Sequence, residues 1–336
     1  MSDVDDSHER RWTLTPDVSV VVPTRNGARR VAALLAGLER DEADTFEVIV
    51  ADDGSEPNER HALRAVVAAH PAVVLIDQPH AGLAAARNAG ARAARGKAVL
   101  FLDDDMVPPA TILHEAAARV SRGADVVLFE IELAATAEPS LLTREVRSWQ
   151  RDERAALVAG RTRYDDLNMA ATAVRRTLFD ALGGFDERFT AGGRYGNEDV
   201  ELGHRLLQHG ARVQFASEPV VLTSGAPRPE RELDRARDVG RNDVLLVRTH
   251  PELAADVFAR KLRDATLHRL AALLTFRLRL HGLWRALARP VAARLAARDT
   301  RGRVPYSLWY VTRSIEYWIG AREEGATYRH GVVHIS

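Results

Sequence analysis

An α/β fold, with a mostly parallel sheet flanked by helices and a helical carboxyl-terminal appendage, is what this sequence predicts. Three observations carry that expectation. Short β-branched or apolar runs alternate with amphipathic helical stripes through the first part of the chain, the pattern of βαβ units with right-handed crossovers. Residues 98 to 105 read Ala-Val-Leu-Phe-Leu-Asp-Asp-Asp, an apolar run stopping abruptly in three carboxylates; a strand buried on both faces of a parallel sheet reads this way. The charge is also divided. Residues 260 to 303 hold twelve Arg or Lys against Asp264 and Asp299, a local charge of +10 in a chain of formal net charge +0, which suggests a basic appendage on an acidic body.

The elements follow in order. Val18-Ser19-Val20-Val21-Val22-Pro23 is a first strand, bounded by the polar turn Thr24-Arg25-Asn26-Gly27. Val31, Leu34, Leu35 and Leu38 then recur at helical spacing. Residues 46 to 51 make a second strand ending in Asp52-Asp53-Gly54-Ser55, and a helix should follow Pro57 and stop before Pro71. Residues 73 to 76 form a third strand, residues 82 to 95 a helix of small residues, and residues 98 to 102 the fourth strand. A helix over 110–122 and a strand over 125–133 come next, and residues 137 to 165 are polar and helix-prone. Glu198-Asp199 opens a helix carrying Val200, Leu202, Leu206 and Leu207; residues 213–216 and 220–222 read as two short strands. Beyond them, residues 262 to 287 are expected to be helical, with Pro290 marking a break.

Composition excludes several chemistries. At 46% hydrophobic and 28% charged residues the chain is ordinary globular protein. It has no cysteine, so disulfides, thiolate metal sites and cysteine nucleophiles are ruled out. The acidic amino terminus, Met1 to Asp6, has no apolar stretch of the kind that directs secretion, and no uninterrupted apolar run is long enough to span a bilayer. A cytoplasmic location is expected, with peripheral attachment at the inner membrane face left open. Lysine occurs only at Lys97 and Lys261, so the abundant arginine reads as base-composition bias and a single arginine carries little weight.

The strand ends carry the chemistry. Thr24 with Arg25, Asp52 with Asp53, Asp77 with Gln78, and Asp103 with Asp105 all fall at carboxyl ends, where open α/β sheets bind ligands. If the chain stays extended there, Asp103 and Asp105 project to one side and Asp104 to the other. Two carboxylates on one side can hold a hard divalent cation whose other positions go to water and phosphate oxygens. A solvated acidic turn is the bland alternative.

The ordered set of segments resembles the inverting nucleotide-sugar glycosyltransferases of family 2, with the GT-A fold and its Rossmann-like sheet. The matching stretches are Val-Val-Val-Pro-Thr-Arg-Asn-Gly (20–27), Val-Ile-Val-Ala-Asp-Asp-Gly-Ser (48–55), Gly-Leu-Ala-Ala-Ala-Arg-Asn-Ala-Gly (82–90), Leu-Phe-Leu-Asp-Asp-Asp (100–105), Gly-Gly-Phe-Asp-Glu-Arg-Phe (183–189) and Asn-Glu-Asp-Val-Glu-Leu-Gly-His-Arg (197–205). The resemblance covers residues 17 to 225. It implies a divalent cation, Mg2+ or Mn2+, on Asp105 and Asp103, the latter shared with ribose. It implies that Asp53 meets the nucleoside, that Pro23, Thr24 and Arg25 wall the base, and that Arg87 points at the base or diphosphate. Inversion at C1 needs a carboxylate to take the acceptor's proton. The resemblance puts that base in the pair Glu198-Asp199, with Asp199 as base and Glu198 positioning the acceptor; acids that merely cap a helix are the alternative. Asn168 and, downstream, Arg175-Arg176 match a stretch beneath the sugar. Where many relatives carry a metal-binding histidine, this chain reads Val221-Leu222-Thr223-Ser224-Gly225.

The expected organisation is a tail (1–16), a catalytic domain (17–225) and a basic, mainly helical region (226–336). The catalytic domain divides into a nucleotide-sugar half (17–106) and an acceptor half (107–225). The expected activity is metal-dependent transfer of a hexosyl group from a UDP- or TDP-sugar to an acceptor hydroxyl. A non-catalytic nucleotide-sugar-binding or scaffold protein of the same fold is the alternative. Nucleic acid binding has no specific support. In the region 260–318, arginines interleaved with leucines and aromatics leave peripheral membrane contact or a homodimer open.

Overall fold

Valines that alternate between two helix-covered faces build the sheet around which the chain is organised. A computed structural model describes residues 15–39, 41, 45–225, 227–263, 274–275, 278, 280–329 and 332–335. The chain forms two compact units: one comprises 1–134, 150–193 and 198–225, the other 135–149, 194–197 and 226–336.

The first unit holds an eight-stranded sheet. Its strands are β1 (Val18–Thr24), β2 (Phe46–Asp53), β3 (Val73–Gln78), β4 (Ala98–Leu102), β5 (Met106–Val107), β6 (Val126–Leu133), β7 (Ala171–Arg175) and β8 (Val213–Thr223), in the spatial order β3-β2-β1-β4-β7-β6-β8-β5. β3, β2, β1 and β4 run parallel, whereas β7 is antiparallel to both β4 and β6. The helices of this unit are α1 (Ala28–Leu38), α2 (Pro57–Ala68), α3 (Leu83–Ala93), α4 (Ile112–Ser121), α6 (Arg176–Ala181) and α7 (Glu198–Gln208). Helix α5 (Leu141–Val158) begins in residues of the second unit and continues in the first.

The alternation decides the core. Val20, Val22, Leu100 and Leu102 pack with Leu34, Leu63, Ile112 and Leu113 on one face. Val21, Val99 and Phe101 pack with Ala84, Phe179, Phe185, Leu202 and Leu206 on the other. Both faces of β1 and β4 are fully buried, so their continuous apolar runs are explained by cover on both sides. Phe101, Phe179 and Phe185 form a three-ring cluster with centroids 5.2–5.5 Å apart.

Two expectations for the strands are corrected. The two short strands expected over 213–222 are a single strand, β8. Its pairing with β6 is interrupted by an irregularity between Phe129 and Ile131, and the stretch of β8 skipped there includes Pro219, which has no N–H to give to a ladder. The extended path expected through the three aspartates is instead a turn, in which the N–H of Met106 donates to the carbonyl of Asp103 at 3.0 Å.

The second unit contains α8 (Pro229–Thr249), α9 (Ala254–Arg263), α10 (His281–Ala296) and α11 (Arg303–Glu323), with an antiparallel pair β9 (Ala326–Arg329) and β10 (Val332–Ile335). α8 and α11 cross closely: a Cβ on Gly240 would lie 2.0 Å from the carbonyl oxygen of Tyr317. Expected breaks move here too. α10 runs through Pro290, because the carbonyl of Ala286 that loses its partner lies on an exposed turn where water can satisfy it. The residues expected to fill a single helix over 262–287 include 264–273, 276–277 and 279, with Arg269, Arg277 and Arg279, which lie outside the described residues, as does most of the tail 1–16.

Candidate active site

The parallel strands β1 to β4 deliver their polar carboxyl ends to one edge of the sheet. Each end is then tied down by a different neighbour. Asp53 closes β2 and is almost fully buried. Its carboxylate accepts from the backbone N–H groups of Ala81 (2.8 Å) and Gly82 (2.9 Å) and from Gln78 Nε2 (2.8 Å), and it pairs with His80 Nδ1 at 2.7 Å. Burial would raise its pKa, but these donors outweigh it and hold the group below the ordinary carboxylate value. Asp53 therefore fixes the loop that leads into α3. Gly82 in that loop has φ +113°, and a Cβ there would lie 2.0 Å from the Thr190 carbonyl oxygen, so no larger residue fits.

Thr24, Arg30 and Asp104 form a second cluster. Thr24 Oγ1 donates to Asp104 at 2.6 Å, and Arg30 grips the same carboxylate through Nε and an amino group, both at 2.9 Å. Asp104 is thus tied back to β1 and α1. Pro23 is buried in β1, while Arg25 is exposed, with Nε 3.4 Å from the carbonyl of Gly54.

Arg87 joins the two halves of the motif set. It is 2% exposed, and its two amino groups donate to Asp103 Oδ1 (2.7 Å) and Glu198 Oε1 (2.8 Å). Phe185 lies under the guanidinium at 5.5 Å. Burial alone would lower the arginine pKa; Asp103 and Glu198 reverse this and raise it. A guanidinium whose amino groups both donate to carboxylates bridges them. Glu198 is buried, with Oε2 unpartnered, whereas Asp199 is half-buried and accepts from the Val200 N–H at 2.8 Å. Burial raises the pKa of both acids, and the adjacent Asp199 charge adds to the rise at Glu198.

Asp105 has no ion pair among the described residues. Its backbone carbonyl accepts from Ser224 N and Oγ, both at 3.0 Å, and its carboxylate lies 3.4 Å from Thr223 Oγ1. A Cβ on Gly225 would lie 2.1 Å from Asp105 Oδ2. The end of β8, where a histidine is absent, therefore does lie against Asp105, and contributes a hydroxyl. Burial, and then the charges of Asp103 and Asp104, push the Asp105 carboxyl up to about 6. Arg30 compensates Asp104 and Arg87 compensates Asp103, so the uncompensated charge at Asp105 suits a cation. Asp105, Asp103 and the Thr223 hydroxyl are oxygen groups that could hold one, the donor type Mg2+ and Mn2+ prefer.

Asn168 Oδ1 accepts from the Ala170 N–H at 2.9 Å, just before β7, and Asp103 N–H donates to the Ala170 carbonyl at 3.0 Å. Asn168 therefore lies beside the aspartate turn. Arg175 and Arg176 do not. Because β7 is antiparallel to β4, Arg175 pairs with Ala98 at the far end of the strand, where it binds Asp125 and Arg176 binds the Gly96 carbonyl. Their expected place beneath a sugar is corrected on that ground.

Sequence reading missed the residues that hold the site from behind. Asn88 bonds both the N–H and carbonyl of Phe185 at 2.9 Å and reaches Glu187. Thr190 Oγ1 accepts from the Ala84 N–H at 2.9 Å. Arg205 bonds the carbonyls of Leu182 and Gly184, both at 2.7 Å. Only their membership of the matching segments, or adjacency to one, marked them.

Comparison with known proteins follows this geometry. Residues 19–190 match the family model described as glycosyl transferase family 2. Validoxylamine A glucosyltransferase of Streptomyces hygroscopicus subsp. jinggangensis is 30% identical over 275 residues, 72% of this chain and 63% of that protein. Chondroitin synthase of Escherichia coli is 27% identical over 69% of this chain, which spans 38% of the synthase. The chain thus spans less than two thirds of the length of these curated relatives. Among solved structures, the mannosyltransferase PcManGT from Pyrobaculum calidifontis, in complex with GDP-Man and Mn2+, aligns with a TM-score of 0.59 at 21% identity, over 93% of this chain and 87% of that one. Residues 1–349 of Staphylococcus aureus TarS, in complex with UDP, align at 0.52 and 18% identity over 95% and 96% of the two chains. The shared architecture is the GT-A fold.

Proposed function

Because the chain belongs to glycosyl transferase family 2, we propose that it transfers a hexosyl group from a nucleoside diphosphate-sugar to an acceptor hydroxyl with inversion at C1. Residues 17–225 form the catalytic part, and UDP or TDP is the donor nucleotide. The observation that carries this reading is the buried Arg87 bridge, which ties the strand-end acid Asp103 to the Glu198-Asp199 pair. Residues far apart in sequence meet there on one charge network.

In the proposed reaction the acceptor oxygen attacks C1 as the bond from C1 to the diphosphate oxygen breaks. The electron pair of that bond leaves with the nucleoside diphosphate. The acceptor proton passes to Asp199, which is the better base of the pair because Glu198 is buried and already bonded to Arg87. Its raised pKa brings it closer to the working pH and strengthens it as a base. Glu198 keeps α7 in register with the aspartate turn through Arg87. Asp53 shapes the loop 78–82 against which the nucleoside sits, with Pro23, Thr24 and Arg25 on its other side. Asn168 approaches the donor sugar. A divalent cation, Mg2+ or Mn2+, held by Asp105 and Asp103 would neutralise the charge that develops on the leaving diphosphate.

The test is Asp199→Asn. Transfer should fall by roughly 10²–10⁴-fold, the usual worth of a positioned base, while nucleotide affinity measured by calorimetry stays within a factor of about two, since a residue acting only in the transition state leaves ground-state binding unchanged. Normal turnover by that variant would remove Asp199 from the role.

A further inference from the structure

The helix α10 is inverted relative to an ordinary surface helix. Its inward face is Trp284, which packs on Val311, Ile315 and Ile319, followed by the small buried residues Ala292, Ala293 and Ala296. Its outward face carries the large apolar side chains: Leu283 is 58% exposed, Leu287 64% and Val291 51%, one helical turn apart, with Ala286 and Pro290 exposed between them. The same stripe continues into Arg294 and, in the turn beyond the helix, Arg298, followed by Arg301 and Arg303. These four arginines are exposed and have no ion pair among the described residues. Arg285 and Arg289 of the same helix differ, being bound to Glu316 and Asp234. Large apolar side chains left contiguous and exposed along one side of a helix are a candidate interaction site.

We infer that this face docks on an anionic lipid surface, lying in the interface with its leucines in the acyl boundary and its free arginines on the headgroups. Charge complementarity selects the lipid. A two-fold contact between copies of this chain would put the same basic stretch on both sides of the interface, and the acid within that stretch, Asp299, is already held by Arg144. No described helix is long and apolar enough to cross a membrane; the attachment inferred here is peripheral. It is amphipathic-helix binding, which scales with buried apolar area and with attraction to anionic headgroups.

Co-sedimentation of the full chain with phosphatidylcholine vesicles, alone or mixed with phosphatidylglycerol, tests this. The wild type should bind the mixed vesicles, bind the neutral ones far less, and be released by salt. Each of Arg294→Gln and Arg298→Gln should weaken binding about fivefold. Leu283→Glu/Leu287→Glu should abolish binding while the melting temperature is unchanged, and Leu283→Ser/Leu287→Ser serves if the charged pair lowers it. Failure of the wild type to bind mixed vesicles overturns the inference, as does undiminished binding by the leucine variants. A leucine variant that turns a dimer into a monomer and still sediments with lipid also overturns it, because the stripe would then serve a second copy.

Discussion

At the residue scale, the site is a set of acids, each given a different neighbour. Asp104 has Arg30 and Thr24, Asp103 and Glu198 share Arg87, and Asp105 has no cation. Removing Arg87 leaves two carboxylates uncompensated, one of them buried. Arg87→Met should therefore cost about 3–5 kcal/mol in urea unfolding; a loss under about 1 kcal/mol, the worth of an exposed pair, would show that the bridge contributes little. Asp199 allows a signed pH prediction. Its folded pKa is raised by burial above the value near 4 of a free aspartate. Below that raised pKa the base is protonated and inactive, so kcat/KM should fall on the acid side with a limb above pH ~4, and Asp199→Asn should lose the limb. By linkage, a raised carboxylate pKa means stability is lost as pH rises through it, so Asp199→Asn should melt higher than wild type at neutral pH. The acids of this site were legible as strand ends and as a Glu-Asp pair. Arg30 was not, since in an arginine-rich sequence nothing marks the one that will reach Asp104.

At the element scale, α5 carries a second charge conflict outside the site. Burial, and then Asp166, Glu130 and Asp165, push Glu153 up to about 8 from an ordinary 4.5. The stability this group contributes is present below its unfolded value and lost as pH rises toward 8. Glu153→Gln should therefore stabilise the protein by about 3 kcal/mol at neutral pH, and the stabilities of variant and wild type from denaturant curves should converge near pH ~4. In the second unit, α8 holds the strap of residues 195–197 that leads directly into Glu198. Asn242 Nδ2 donates to the carbonyls of Tyr195 (2.9 Å) and Gly196 (2.5 Å), and Asp243 accepts from Asn197 and Tyr317, both at 2.7 Å. Asn242→Ala should lower kcat several-fold with KM for the donor unchanged; a change in donor KM alone would contradict a positioning role. Helical stripes predicted α1 and α7 well, because each buries one face, and two prolines bounded α2. α10 was misjudged, since a proline rule drawn from buried helix interiors overstates the cost at an exposed turn.

At the scale of the whole molecule, ligand binding to the folded state must appear as stability. A nucleotide present at about 100 times its Kd should add about 2.7 kcal/mol. A thermal-shift panel should therefore show UDP or TDP raising the melting temperature more with Mn2+ or Mg2+ than with EDTA. Asp105→Ala should lose the metal-dependent part only; a metal effect of unchanged size would rule out Asp105 as ligand. The alternation of apolar runs with amphipathic stripes determined the α/β class, the parallel half of the sheet and the edge on which a site must form, because period and burial are local properties of a chain. The antiparallel insertion of β7 was settled only by tertiary structure, and with it the placement of Arg175 and Arg176 at the far edge. The Arg87 bridge and the approach of Thr223 to Asp105 were likewise beyond local reading. Each depends on which distant segments become neighbours, and strand order and direction follow from packing of the whole sheet, which no single segment encodes.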